Sequence, residues 1–456
     1  MKKILFKRGA VVSSRGIKHA DVLVAGDRII AVGRHIKEDA EIIDVTGKLL
    51  FPGFIDAHTH FDLEVSDTVT ADRFDTGTKS AIAGGVTTVV DFATQNKGET
   101  LSDALNNWHI KAFANSSCDY AFHMAISDWR EDVKEELSAM HEQGVTSFKL
   151  YMTYPAMMLN DKEIFDVLTE LKRLGCIAGC HCENAGIIDG LRERYAAGGM
   201  LSPLYHPQSR PSPCEAEAVD RFLRIAEAVD CPVIVVHLSS QEGLEEIRRA
   251  RKRGAKVFVE TCPQYLLLED SVYDNDFDES AKYVCSPPIR KHSDRKALWR
   301  ALKDGEIQTV STDHCSFTKE QKRAGEYDFR LIPNGMPGVE TRPILLYTYG
   351  VKKKRISLAQ MCALLSENPA KLYGMYPKKG VIKAGADADI VVFDPHAHSV
   401  ISAATQHSAC GYTPYEGVKV CGEIENVYLR GELVYRDGVI VKERFGRYVS
   451  RGKPEL

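Results

Sequence analysis

Five residues of this chain have the chemistry of metal ligands and fall where strand-like runs end. His58 and His60 lie in Asp56-Ala57-His58-Thr59-His60. A spacing of two on a strand puts both imidazoles on one face, where they can bind one cation. His181 closes a later apolar run, His237 closes another, and Asp313 follows a third, while Lys149 sits within a run of its own. Singly, each has a plain structural reading. A strand histidine can be a hydrogen-bonded core residue, an aspartate after a strand a helix N-cap, and a buried lysine the partner of a carboxylate. Their joint placement points to a metal site instead. His123, which also ends a strand-like run, keeps the structural reading.

Four histidines and one carboxylate can hold two divalent cations, but cations about 3.5–4 Å apart repel and need anionic bridges. A lysine side chain is a poor bridge, neutral or protonated. A lysine that has taken up carbon dioxide is a carbamate, with carboxylate-like oxygens. Lys149 would then be one bridge, and a hydroxide the second, because metal binding lowers the pKa of a water towards 7. Asp313 can ligate and also serve as general base, passing a proton to a leaving nitrogen. Such a site hydrolyses a planar carbonyl.

Something must hold these groups at one end of a scaffold. Apolar runs at Gly53–Ala57, Val86–Phe92, Tyr120–Ala125, Ser147–Met152, Ile177–His181, Val233–His237, Val257–Thr261 and Gln308–Ser311 read as eight strands. Amphipathic stretches at Leu101–Phe113, Glu131–Glu142, Lys162–Leu174, Glu215–Ala228 and Gln241–Arg253 fall between them. The alternation predicts an α/β chain built on a (β/α)8 TIM-like barrel, whose catalytic groups sit at the C-terminal strand ends. Short strands at both chain ends (Ala20–Val24, Arg28–Val32, Glu41–Val45, then Ala388–Phe393, Glu425–Arg430, Glu432–Arg436) cannot bury their faces alone. They are expected to join as a small β-sandwich domain, residues 1–50 plus 378–456, around a barrel of residues 51–377.

At 456 residues the chain is long enough for both units. A net charge of −4 with no basic stripe argues against nucleic acid and anionic membrane as partners. No apolar run approaches the roughly 20 residues of a membrane span. The first residues, Met1-Lys2-Lys3-Ile4-Leu5-Phe6, read as a strand, with no signal peptide. Twelve cysteines scattered along a large chain suggest reduced thiols and a cytoplasmic protein. Cys180 and Cys182 flank His181 on the opposite strand face and are expected in the core.

Across essentially its whole length the chain resembles the cyclic amidohydrolases, specifically the dihydropyrimidinase and D-hydantoinase family. The resemblance rests on Phe51-Pro52-Gly53-Phe54-Ile55-Asp56-Ala57-His58-Thr59-His60, Phe148-Lys149-Leu150-Tyr151-Met152 and Glu260-Thr261-Cys262-Pro263-Gln264-Tyr265-Leu266. It rests equally on Cys285-Ser286-Pro287-Pro288-Ile289-Arg290, Asn334-Gly335-Met336-Pro337-Gly338-Val339-Glu340, Lys378-Lys379-Gly380, Gly385-Ala386-Asp387-Ala388-Asp389 and Glu416-Gly417. It implies two zinc ions held by His58, His60, carboxylated Lys149, His181, His237 and Asp313 and bridged by the carbamate and hydroxide. It further implies that Tyr154 polarises the scissile carbonyl and that the main chain at Ser286 and Asn334 reads the amide edge of the ring. The implied reaction opens a hydantoin or dihydropyrimidine to an N-carbamoyl amino acid. A homotetramer is implied, with the charged tail Arg444–Leu456 suited to reach a neighbour.

Two features bear on the substrate. The segment after the histidine pair, Phe61-Asp62-Leu63-Glu64-Val65-Ser66-Asp67-Thr68, carries three acids where many hydantoinases have an apolar, Gly-containing loop. Unless they point to solvent, these acids disfavour a large hydrophobic substituent. The stretch Met152-Thr153-Tyr154-Pro155-Ala156-Met157-Met158 is similar to a phenylhydantoinase-like subgroup, and its methionines could line an adaptable pocket or fill the core. A dihydroorotase would place Arg two residues after the second histidine, where this chain has Asp62, and an allantoinase-like Asn-Glu-Pro-Gly stretch is absent. A non-catalytic relative of the fold would have lost the ligands, which are all present here.

Overall fold

A computed structural model describes residues 2–65 and 67–455; Ser66, in the acidic loop, lies outside the described residues. Eight parallel strands form the central sheet in the order β15-β14-β13-β12-β11-β10-β9-β6. They are β6 (Phe54–Thr59), β9 (Val86–Thr94), β10 (Asp119–Ala125), β11 (Ser147–Tyr151), β12 (Ile177–His181), β13 (Val233–Val235), β14 (Val257–Thr261) and β15 (Thr309–Val310). β10, β11 and β12 are buried at every position. Burial on both faces is why these runs are mostly apolar and show no strict polar alternation.

The barrel closes between its first and last strands. Thr59 bridges His314, whose carbonyl accepts from the His60 N–H at 2.8 Å. The Asp56 carboxylate accepts from the Thr312 hydroxyl at 2.8 Å. Fully buried Arg342 donates to the Ile55 and Val310 carbonyls at 2.9 and 2.7 Å, joining β6 to β15.

Helices cover the barrel where the periodicity places them. The helix Asp161–Leu174 starts at Asn160, which caps the Glu163 N–H while the Glu163 side chain caps Asn160 in return, and it stops at Gly175 in a left-handed conformation. Its Ile164, Val167, Leu168 and Leu171 are buried at spacings of three and four, each worth roughly 1.5–3 kcal/mol. Glu131–Glu142 and Gln241–Arg253 occupy the residues their sequence periodicity predicts.

Both chain ends meet in one nine-stranded, mostly antiparallel sheet. Its strands are β1 (Lys3–Ser13), β2 (Gly16–Ala25), β3 (Arg28–Gly33), β4 (Glu41–Asp44) and β5 (Leu49–Pro52), with β16 (Ile390–Val400), β17 (Lys419–Leu429), β18 (Glu432–Arg436) and β19 (Val439–Ile440). The Phe6 ring on β1 lies 4.9 Å from that of Tyr428 on β17, although β5 and β16 run between the two strands. Strands three places apart in a flat sheet are about 14 Å apart, so this sheet folds over its own apolar core. It is tied to the barrel by buried Lys379, which donates to Asp119 at the start of β10 and to Asp389, each at 2.6 Å.

The last described residues lie back on the barrel. Residues 447–455 lie on their own barrel: Tyr120 and Arg447 pair at 3.0 Å, and Val449 and Tyr120 at 2.8 Å. Arg451, almost wholly buried, enters from the N-terminal strand ends to donate to Ser147 Oγ at 2.7 Å and to the Phe122 carbonyl. Of the charged side chains that make this segment look suited to another subunit, Arg451 is spent on the barrel floor, whereas Arg444, Arg447, Lys453 and Glu455 are exposed.

Candidate active site

The C-terminal strand ends bring the expected ligands together. His58 lies on β6 and His60 just past it, Lys149 is on β11, and His181 is the last residue of β12. His237 lies two residues past β13, and Asp313 follows β15. One Asp313 oxygen stands 3.1 Å from His58 Nε2 and 3.0 Å from His60 Nε2, and ligand atoms of these three residues lie within 4.8 Å of one another. Lys149 Nζ stands 3.5 Å from His237 Nε2. The His237 ring centroid is 5.5 Å from that of His58 and 4.6 Å from that of His181.

Local backbone is bent to achieve this. Tyr154, His237 and Asp313 all adopt left-handed conformations, with φ of 68°, 39° and 53°. Such conformations cost of order 1–3 kcal/mol for residues with a Cβ and concentrate where a side chain must be aimed.

The donor set fits a cation. Glu260, fully buried at the end of β14, accepts from His58 Nδ1 at 2.7 Å. That bond fixes the His58 proton on Nδ1 and leaves its buried Nε2, which faces the Asp313 oxygen at 3.1 Å, with a lone pair and no proton to donate. Burial pushes the His60 imidazolium down to about 4 and that of His237 well below its ordinary range. Burial opposes ionisation of Asp313, but His58 and His60 outweigh it and hold the carboxyl well below the usual range. Burial also lowers the Lys149 ammonium, favouring the neutral amine. His58 alone is pushed upward: burial and Lys149 oppose its protonation, and Glu260 and Asp313 outweigh them. Imidazoles at His60, His181 and His237 whose burial disfavours protonation, an ionised carboxylate and a His58 position that favours positive charge suit a divalent cation.

Several residues that the sequence did not mark complete the site. Glu260 also accepts from the His237 backbone N–H at 3.2 Å, so one carboxylate orients two histidines. His181 Nε2 is engaged by Glu183 at 2.7 Å, and Glu183 is in turn held by Arg210 at 2.6 Å. The Arg210 guanidinium lies 5.5 Å from the Tyr154 ring centroid, and that ring is 5.3 Å from the His181 ring. Burial raises the Tyr154 phenol and Arg210 partly offsets it, so the group stays a protonated donor at neutral pH. Glu260 alone carried a sequence signal, since it ends a barrel strand as the histidines do.

Other expectations meet plain structural outcomes. His123 is hydrogen-bonded to the Ala57 carbonyl at 2.9 Å and to Ser147 Oγ at 2.5 Å. Cys180 and Cys182 are core thiols. Ser286 is buried and Asn334 half-buried, on separate segments. The acids after the histidine pair do not converge on it. Asp62 accepts from the Phe74 N–H at 2.9 Å, at the start of a helix, and Glu64 and Asp67 are exposed. Met152 belongs to the core, Met157 is half-buried and Met158 exposed.

The comparisons with known proteins agree with this geometry. The Amidohydrolase family model matches residues 49–434. The chain is 44% identical to a D-hydantoinase of Geobacillus stearothermophilus, over 98% of this chain and 96% of that protein. It is 41% identical to a D-hydantoinase of Ralstonia pickettii, over 99% of both. The solved dihydropyrimidinase of Brevibacillus agri superposes with a TM-score of 0.98 at 42% identity, covering 99% of each chain.

Proposed function

The chain belongs to the amidohydrolase family, in its hydantoinase and dihydropyrimidinase branch, and from that premise we propose that it opens a hydantoin or dihydropyrimidine ring to an N-carbamoyl amino acid. It is a cyclic amide hydrolase; the ring, the product and the metal are our reading. The observation that carries it is the convergence of His58, His60 and Asp313 beside Lys149 and His237 at the mouth of the barrel.

Two zinc ions would be held by His58, His60, Lys149, His181, His237 and Asp313. When bound, they would supply Lewis acidity and a water ionised at neutral pH. Lys149 would carry a carbamate: its neutral amine attacks carbon dioxide, a C–N bond forms, and one proton is released. Asp313 takes the proton of the attacking water and delivers it to the ring nitrogen as the C–N bond breaks. The product then has a carboxylate at the attacked carbon and a ureido group at the nitrogen. Tyr154, a protonated phenol, donates to the carbonyl oxygen as negative charge builds there. The main chain at Ser286 and Asn334 holds the amide edge of the ring.

Because Asp62 turns to a helix N-terminus and Glu64 and Asp67 face solvent, an apolar exocyclic substituent meets no unpaired acid from this loop. A 5-aryl hydantoin is therefore admitted beside dihydropyrimidines. We further take the working protein to be a cytoplasmic homotetramer, with the hydrolase barrel spanning residues 51–377 and the β domain 1–50 plus 378–456. Among the described residues no helix is long and apolar enough to cross a membrane.

The test is the initial rate of ring opening on dihydrouracil and on each enantiomer of 5-phenylhydantoin, with zinc and bicarbonate supplied. Turnover of at least one is expected. Inactivity on all three with two zinc ions bound would overturn the choice of ring and direct attention to allantoin and dihydroorotate.

A further inference from the structure

Lys322 ends a one-turn helix, Lys319–Lys322, and is 2% exposed. Its Nζ donates to three main-chain oxygens: Val284 at 2.8 Å, Pro333 at 2.7 Å and Gly335 at 2.8 Å. Burial pushes its ammonium down to about 7; in the protonated form it has three donors, and all three are spent on carbonyls. The ionisable neighbours that act on it are cysteines, with no carboxylate beside it among the described residues. A buried cation without a counter-charge is costly. Here the compensation comes from the carbonyls of two separate segments.

Those segments are the ones assigned to the substrate. Val284 lies two residues before Ser286, and Pro333 and Gly335 flank Asn334. The Gly335 N–H also donates to the Val284 carbonyl at 2.9 Å, so a main-chain bond and the lysine converge on one oxygen. Gly335 has φ 149°, and a Cβ there would stand 2.2 Å from the Cys315 carbonyl, so this segment has no room to shift sideways.

We propose that Lys322 is a positioning residue for ring binding: its three bonds set the spacing between the Ser286 and Asn334 main chains, so that both meet one amide edge. The inference rests on the proposed function, which gives those two segments to the ring. Lys322 acts through them and touches no reacting atom. The amide edge is common to all the rings considered, so the effect on binding is the same whatever the substituent. It also leaves the metal ligands untouched.

The experiment uses Lys322→Met, which keeps the stem and removes the donors, and Lys322→Gln, which keeps neutral donors should the first variant fail to fold. For each holoenzyme, kcat, KM and zinc content are measured on dihydrouracil and on 5-phenylhydantoin. Expected are a KM raised about ten-fold on both substrates, a kcat within about three-fold of wild type, and full zinc. Simple loss of folded protein lowers the maximal rate and leaves KM where it was. An unchanged KM in a folded variant, or a rise for one substrate alone, overturns the positioning role while wild-type turnover keeps the ring assignment standing. A wild-type enzyme inactive on both rings overturns the ring assignment, and this role with it.

Discussion

Replacing Glu260 by glutamine keeps the shape of the side chain and removes the charge that orients two histidines. In the native site one oxygen accepts from His58 Nδ1 at 2.7 Å and from the His237 N–H at 3.2 Å. Charge-assisted hydrogen bonds are roughly twice as strong as neutral ones. A glutamine must also present its carbonyl rather than its amide to keep either bond. His58 is then held less firmly with its Nε2 bare, and the competing tautomer becomes accessible. Losing such a carboxylate behind a ligating histidine costs about 10–100-fold in metal affinity, or about 1.4–2.8 kcal/mol. The assay strips the metal with a chelator and titrates zinc back against a chromophoric competitor, then measures ring opening at saturating zinc. Glu260→Gln is expected to bind zinc about 10–100-fold more weakly and to recover much of its rate when zinc is in excess. A folded variant with zinc affinity within about two-fold of wild type would refute the claim that the Glu260 charge fixes the ligand.

Other expectations follow from the same geometry. Tyr154→Phe should keep its zinc and lose about 10²–10³-fold in kcat, the usual cost of one oxyanion donor; unchanged turnover would remove the phenol from the mechanism. Lys149→Ala should lose both metal and activity, and a variant retaining two zinc ions would refute the carbamate bridge. Burial opposes ionisation of Glu183, but Arg210 and then His181 hold its carboxyl at about 2, below the ordinary 4.5. A depressed acid contributes stability above its unfolded pKa and loses it as pH falls through the folded one. The melting-temperature gap between wild type and Glu183→Gln should therefore be full near neutral pH and shrink as pH drops from 4.5 towards 2; a gap that stays constant through this window would show that Glu183 is not held by Arg210.

Most of the scaffold was legible because it depends on local pattern. β9 and β10 are runs dominated by β-branched, aromatic and apolar residues, and the helices Glu131–Glu142 and Gln241–Arg253 repeat their buried positions at spacings of three and four. The ends of strands were less legible where the site bends them. The run Val233–His237 reads as five residues of strand, yet the ladder stops at Val235 because His237 turns left-handed to aim its ring. The ligands His58, His60, His181, His237 and Asp313 stood out because imidazoles and a carboxylate at strand ends have few bland explanations in combination. Glu183 and Arg210 did not stand out, because a charged residue in a linear sequence looks like surface until the fold supplies a partner from another element. Lys322 was silent for the same reason. Where the acids of the 61–68 segment point was not legible: the Asp62 carboxylate is consumed by a helix start that sequence spacing does not reveal.

The way both ends of the chain are woven into the molecule bears on how it is made. Synthesis delivers β1 to β5 first, but the outer edge of β5 pairs with β16, which emerges only after the entire barrel. The floor of that barrel is then finished by Arg451, which follows every barrel strand in the sequence. For most of its time in translation this chain therefore carries an open strand edge and unsatisfied barrel-floor acceptors, the kind of exposure that invites mispairing. Its vulnerable period lasts until β16 and Arg451 have both been synthesised, so the burden on cellular folding assistance falls while the barrel is being made.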